Sequence, residues 1–525
     1  MKKPWVVHPL FVASFPVLFL YARNQTQLSW SQVWPSLRLV VGSTILLFLL
    51  FALILRNVKK AGVIISLLVL LFFSYTHVVN LLLGRPINLV GVDVHRIVLL
   101  VWCIIIAGVN AIVIRTHRSL DDLTKVLNFS ALALIVIPLV NILIHGFSSA
   151  EVEQTQVRAQ LTDLAPVGSI PESDLPNIYY LILDAYGRAD VLADLYQVDN
   201  TEFLNYLSEK GFYVAEKSQA NYAQTDQSVS SSLNAEYLDR LIAGTDLHVG
   251  DRKPMHDLIQ GSAVVQFLKE SGYTIVTLPS GYEATELRAT DDFMGQRRTL
   301  SALDLELFIS TPIPWLLYRE VGATPYDPHR QTILSAFDNL ADAADLPGPN
   351  FVFAHLLVPH PPFVFDRYGH EIVPEHDFSL FDGEAFLQSA TREEYLTGYR
   401  DQLLFVNSRL RSVLDVLLTQ STRPSVVVLQ ADHGPGSLLY WHDCDSSCLK
   451  ERFSILNAYL LPGTGSAGLY PEISPVNTFR LILSYYLGTN LDMLEDRSYF
   501  SLWETPYLYT DVTDVVRCTG PSCDP

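Results

Sequence analysis

Residues able to bind a metal stand at the ends of three apolar runs. The clearest case is Asp432-His433-Gly434, which closes the stretch Ser-Val-Val-Val-Leu-Gln-Ala beginning at Ser425. A carboxylate beside an imidazole offers a hard oxygen donor and a borderline nitrogen donor, a set that suits Zn²⁺ or Mn²⁺. The run Ile178–Leu183 leads directly into Asp184, and Phe351–Leu357, which contains His355, leads into Val-Pro-His360-Pro-Pro. If the three runs are parallel neighbours in one sheet, Asp184, His360, Asp432 and His433 gather at its carboxyl edge, where open α/β sheets hold ligands. Hydroxyls are concentrated in residues 221–232, Asn-Tyr-Ala-Gln-Thr-Asp-Gln-Ser-Val-Ser-Ser-Ser. A hydroxyl at a helix amino terminus is well placed as a nucleophile, because the local amides stabilise an anion and a divalent metal lowers the hydroxyl's pKa. Ser/Thr capping of a helix is the simpler use of the same residues.

The elements that must position these groups alternate in kind. Strands are expected at Ile178–Leu183, Thr274–Leu278, Phe351–Leu357 and Val426–Leu429. Helical periodicity runs through Thr201–Lys210, His256–Ser271, Gln331–Ala344 and Arg392–Leu418. Such alternation predicts α/β layers around one mostly parallel sheet flanked by helices. This domain is expected over residues 177–525, after a polar, proline-containing linker at 148–176.

The first 147 residues read differently. Apolar blocks at about 6–22, 37–55, 62–83, 96–114 and 127–146 each approach the ~20 residues of a bilayer-spanning helix, so a five-helix transmembrane bundle is expected. Lys2, Lys3, Arg56, Lys59, Lys60, Arg115, Arg118 and Lys125 fall in one set of loops, against Arg23, Arg38, Arg85 and Arg96 in the other. That excess puts the amino terminus in the cytoplasm and, after five crossings, the large domain outside it. The expectation is a multi-pass plasma (inner) membrane protein. Residues 1–150 carry a net charge of +9, so the rest carries −28 of the total of −19. A domain this acidic repels nucleic acid, and no basic patch argues otherwise. Cys444, Cys448, Cys518 and Cys523 fit an oxidising compartment. Three pairings are possible, and the two local ones, Cys444–Cys448 and Cys518–Cys523, are expected.

In its motifs the chain resembles the alkaline phosphatase/sulfatase superfamily. The metal-binding acid at a strand end matches Asp184 in Tyr-Leu-Ile-Leu-Asp-Ala-Tyr-Gly. The nucleophilic threonine matches Thr225, with Val229-Ser230 after it. The substrate-side histidine matches His360, the Asp-His-Gly metal pair matches Asp432-His433-Gly434, and the following histidine matches His442 in Tyr-Trp-His. The arrangement is most similar to the membrane-anchored branch that includes lipoteichoic acid synthases and lipid A phosphoethanolamine transferases, where five spans precede an extracytoplasmic catalytic domain.

This resemblance implies that Asp184, Thr225, Asp432 and His433 bind the metal, while His360 and His442 serve the substrate. Ser228, one helical turn beyond Thr225, is the alternative nucleophile. The implied activity is transfer of a phosphoglycerol- or phosphoethanolamine-type head group from a membrane phospholipid donor to an envelope glycan or lipid acceptor, through a phospho-threonine. A phosphoric or sulfuric ester hydrolase needs the same residues. A non-catalytic binding module is the third reading, and the intact motifs speak against it. The Cys/Ser-x-Pro-x-Arg signature of formylglycine sulfatases is absent.

Overall fold

Two units emerge in the computed structural model, Met1–Val152 with Thr299–Thr324, and Glu153–Arg298 with Pro325–Pro525. The residues described are 4–25, 28, 30–83, 94–148, 171–244, 250–287, 290–295, 301–321, 324–376, 378–463, 465–517 and 523.

In the first unit each apolar block of the sequence forms a helix. These are α1 (His8–Arg23), α2 (Val33–Leu55), α3 (Val58–Leu83), α4 (Val94–Arg115) and α5 (Asp121–Ser148). Four of them, α2 to α5, are long and apolar enough to cross a bilayer. The fifth, α1, has 16 residues, a rise of about 24 Å against a hydrocarbon core of ~30 Å. It packs along α5, α2 and α3, burying Ala13 and Val17 completely, whereas α2 leaves Leu46 and Leu53 largely exposed. Apolar faces of that kind suit contact with lipid. Two short helices from later in the chain, Ala302–Ile309 and Ile313–Val321, belong to the same unit. Leu303 and Leu307 of the first pack against Val17, Leu18 and Tyr21 of α1.

The second unit is built on a seven-stranded sheet ordered β2-β7-β6-β1-β5-β3-β4. Its strands are β1 (Asn177–Leu183), β2 (Tyr213–Val214), β3 (Thr274–Thr277), β4 (Asp292–Phe293), β5 (Asn350–Leu356), β6 (Ser425–Gln430) and β7 (Asn457–Leu460). All pairings are parallel except those made by β7. Central β1 is buried on both faces, which is why it reads as a continuous apolar run rather than an alternating one. Tyr179, Leu181 and Leu183 join one core, and Ile178, Tyr180 and Ile182 join the other. The four expected strands are present, and β1 lies between β5 and β6, parallel to both. The expected helix at 256–271 is divided into Lys253–Gln260 and Ala263–Glu270. Ser262 causes the break by capping the second helix, its hydroxyl accepting from the amide of Val265.

The cysteine pairing differs from expectation. Cys448 is bonded to Cys523, 75 residues away, with a Cα–Cα distance of 5.2 Å, and Cys444 is free. The expected Cys444–Cys448 bridge is therefore excluded. Cys518, partner in the other expected bridge, lies outside the described residues, but Cys523 is already taken. Tertiary packing overrides local spacing here: the helix Thr513–Arg517 lies against Leu449–Phe453, the helix that Cys448 caps.

Candidate active site

Adjacent strand ends bring the metal-competent residues together. Asp184 directly follows β1, and its amide donates to the carbonyl of Leu356 on β5 (3.0 Å). Asp432 and His433 follow β6 across the single residue Ala431. Ala185 sits at φ 63°, in the left-handed region that a residue with a Cβ seldom occupies. That turn points its amide at Oδ1 of Asp432 (3.3 Å), while Tyr399 holds its carbonyl (2.9 Å). Gly434 is required by close approach: a Cβ there would lie 2.1 Å from the carbonyl oxygen of Glu451.

Asp184, Asp432 and His433 are buried, with one ligand atom from each lying within 4.8 Å of the others. Nδ1 of His433 is 3.0 Å from the carbonyl oxygen of Gly434. A carbonyl only accepts, so the proton sits on Nδ1 and Nε2 presents its lone pair. That Nε2 lies 3.2 Å from Oδ2 of Asp432 and 3.6 Å from Oδ1 of Asp184. Those two carboxylate oxygens are buried without a hydrogen-bond donor. Two orphaned anionic oxygens beside an imidazole lone pair are costly unless a cation joins them, so the group fits a divalent metal ion.

Electrostatics agree with this arrangement. Burial alone would raise the pKa of Asp184, but His360, His355 and His433 outweigh it and hold the carboxyl well below its ordinary range. Burial, followed by the Arg452 guanidinium, pushes His433 below its usual value against the pull of both carboxylates. His433 is therefore neutral, as a ligand must be.

Thr225 is the first residue of the helix Thr225–Asn234, and its hydroxyl donates to Nε2 of His433 (3.0 Å). It is half-buried at the end of a helix whose other residues are buried, so the amino-terminal hydroxyl is the accessible one. Ser228 instead spends its hydroxyl on the carbonyl of Tyr222 (3.1 Å). His360 is close to this group, its ring centroid 6.4 Å from that of His433 and its Nδ1 engaged by the carbonyl of Pro361. His442 stands apart from these residues. It is exposed, with Glu504 at 3.0 Å and Glu384 at 3.6 Å, on the wall of a cleft of about 390 Å³ that Phe500 and Leu508 also line.

Several neighbours were given no role by the sequence reading. His355 links Thr285 (2.7 Å to Nδ1) to Oδ2 of Asp184 (3.3 Å from Nε2), and the one sign of it was a histidine interrupting an apolar strand. Asp226, next to Thr225, is buried among Arg252, His256 and Tyr282. Arg452 is buried against Asp382 (2.7 Å) and also donates to the carbonyls of Ala223 (2.8 Å) and Gly434 (3.1 Å). In sequence it reads as one more charge in a solvated Lys-Glu-Arg run.

With this geometry in place, comparison with known proteins assigns a family. The sulfatase family model matches residues 176–457, more than half of the chain. The chain belongs to the sulfatase family. No curated protein matches the sequence. Among solved structures, the C-terminal periplasmic domain of EptC from Escherichia coli is 13% identical, covering 66% of this chain and 96% of that one, with a TM-score of 0.42. The integral membrane lipooligosaccharide phosphoethanolamine transferase A (EptA) from Neisseria meningitidis is 13% identical over 92% of this chain and 94% of its own, with a TM-score of 0.38. BT1596, a 2-O GAG sulfatase, is 12% identical over 62% and 78%, with a TM-score of 0.39. In this sulfatase-family chain the matched region is preceded by apolar helices that suit a membrane anchor.

Proposed function

We propose that this sulfatase-family protein transfers a phospho-head group from a membrane phospholipid to an envelope glycan or lipid, with Thr225 as nucleophile. The observation that carries the reading is the Thr225 hydroxyl, at a helix amino terminus and 3.0 Å from Nε2 of His433, beside two orphaned carboxylate oxygens. Asp184, Asp432, His433 and Thr225 would hold the ion, Zn²⁺ or Mn²⁺ by their donor types. When bound, it supplies charge that stabilises the ester's oxygens and lowers the hydroxyl's pKa.

Thr225 Oγ1 attacks phosphorus, a Thr225 O–P bond forms, and the bond from phosphorus to the diacylglycerol oxygen breaks. The proton that Thr225 gives up is passed through His360 to that leaving oxygen, and the acceptor's own proton takes the reverse path in the second step. An acceptor hydroxyl then displaces the threonine. The first-turn amides of the helix Thr225–Asn234 favour the anionic intermediate. His442, exposed on its cleft, is assigned to the incoming substrate. The catalytic domain spans 177–525 after the 148–176 linker. With the amino terminus cytoplasmic, as eight basic residues against four argue, and with α1 crossing together with the four longer helices, the domain lies outside.

The test uses the purified full chain in vesicles containing phospholipid. A mass shift of one phospho-group on Thr225 is expected, and it is discharged to an added acceptor alcohol. Release of free phospho-head group alone, equal with and without acceptor, would make the enzyme a hydrolase. An adduct on Ser228 would remove Thr225 from the mechanism.

A further inference from the structure

The pair of short helices Ala302–Ile309 and Ile313–Val321 occupies one end of the apolar bundle. The contacts of the described residues named next point to the same end. Leu303 and Leu307 meet Val17, Leu18 and Tyr21 in the second half of α1, Val33 at the start of α2 and Ile135 in the second half of α5. Ser36, near the start of α2, donates to Asp304 (2.6 Å). Thr76, in the last third of α3, donates to the carbonyl of Ile309 (2.7 Å). Trp315 stacks on His95 at the start of α4, with centroids 5.4 Å apart and planes 8° from parallel. This is also the end at which α5 finishes and the chain passes to the second unit.

At eight and nine residues, these helices are far shorter than the ~20 residues of a span. They nevertheless leave an apolar edge uncovered: Ile309, Ile313, Leu316 and Leu317 are 37–43% exposed. Positions 313, 316 and 317 have the i, i+3, i+4 spacing of one helix face. Aromatic residues cluster at the same end. Tyr21 and Trp30 are in edge contact (5.1 Å), as are Trp30 and Trp34 (5.9 Å), and both tryptophans are exposed. Tryptophan and tyrosine at the end of a bundle of spans mark the level of the lipid head groups.

We infer that Ala302–Val321 is a membrane-interface element whose Ile309–Leu317 edge lies in the head-group/acyl boundary of the bilayer, continuous with the lipid-facing sides of the spans. A short amphipathic helix can do this where it cannot span. The chain of the catalytic unit is interrupted between Arg298 and Pro325 to supply it, so that unit is tied to the membrane by this pair as well as by α5. The inference rests on the apolar helices crossing a bilayer and not on the chemistry of Thr225.

A photoreactive benzoylphenylalanine is placed singly at positions 316, 317, 46 and 303 of the full chain in phosphatidylcholine/phosphatidylglycerol vesicles. Leu46 is 70% exposed on α2 and Leu303 is fully buried, so they are the lipid-facing and protein-facing references. Positions 316 and 317 are expected to gain the mass of one phospholipid, as position 46 does, while position 303 gains none. Adducts at 316 and 317 to the catalytic unit or to a second copy of the chain would overturn the inference. So would the absence of lipid there while position 46 is labelled.

Discussion

Arg452→Met is the most informative single perturbation of the site, because the guanidinium serves two loops at once. It neutralises Asp382, which is 2% exposed like Arg452 itself. It also donates to the carbonyl of Ala223, two residues before Thr225, and to that of Gly434, next to His433. Removing it strands a buried carboxylate whose remaining donors include Tyr395 (2.7 Å). Loss of one partner from a buried ion pair costs about 3–5 kcal/mol. For a second unit of about 350 residues, with an unfolding entropy near 2.1 cal/mol/K per residue, that corresponds to a fall of roughly 4–7 °C in Tm. Activity falls further than stability, by about 10²-fold, if freeing both loops misplaces Thr225 by on the order of 1 Å. The assay is thermal unfolding and turnover of four proteins: wild type, Arg452→Met, Asp382→Asn and the double variant. The double variant no longer contains an uncompensated charge, so it recovers part of the Tm but none of the turnover, since both carbonyls still lack their donor. Loss of under about 1 kcal/mol for Arg452→Met, smaller than a single hydrogen bond to a charged group, would refute the reasoning. Recovery of turnover in the double variant would refute it equally.

Chelation should abolish turnover, and Zn²⁺ or Mn²⁺ should restore it. Thr225→Ala should lose turnover yet keep part of its metal, because three ligands remain, whereas Asp432→Ala should lose both; equilibrium dialysis beside activity separates them. Peptide mapping of the oxidised chain should yield a Cys448–Cys523 linkage, and Cys523→Ser should lower stability by up to about 4 kcal/mol, as expected for closing a long loop. Recovery of a Cys444–Cys448 peptide would contradict the fold of the carboxy terminus. His442→Ala should raise KM with metal content unchanged, since the imidazole pairs with Glu384 and Glu504 rather than with the carboxylate–imidazole group; a loss of bound metal would place it among the ligands.

What the sequence disclosed followed the strength of its physical constraints. Runs such as Tyr180–Leu183 and Val426–Leu429 are buried on both faces, so apolar, β-branched and aromatic residues fill them and their ends are sharp. Asp184 and Asp432-His433 were legible because a charge ending such a run has no packing role. Neighbouring parallel strands then bring those ends together. The order β6-β1-β5 had to be supposed, since no single strand encodes its neighbour. Residues that act across the fold left weaker traces. Arg452 and Asp382 are 70 residues apart, and each looks like an ordinary surface charge until tertiary structure buries it. The pairing of Cys448 with Cys523 depends in the same way on where the last helix docks.

The hydroxyl shows why local and tertiary information are both needed. Residues 225–232 offer Thr225, Ser228, Ser230, Ser231 and Ser232, and composition cannot rank them. Helix geometry does. Ser228, Ser230 and Ser232 return their hydroxyls to carbonyls of their own segment, and Ser231 gives its own to Glu236 just beyond the helix. Each is thereby committed to local structure. Thr225 comes first, where no preceding helical carbonyl is within reach, and its hydroxyl crosses to the end of β6 instead. The position that leaves a hydroxyl without a helical acceptor also sets it at the positive end of the helix dipole, beside buried anionic oxygens. One feature of chain geometry thus sets Thr225 apart as the proposed nucleophile and supplies the surroundings that its oxygen would need to gain charge.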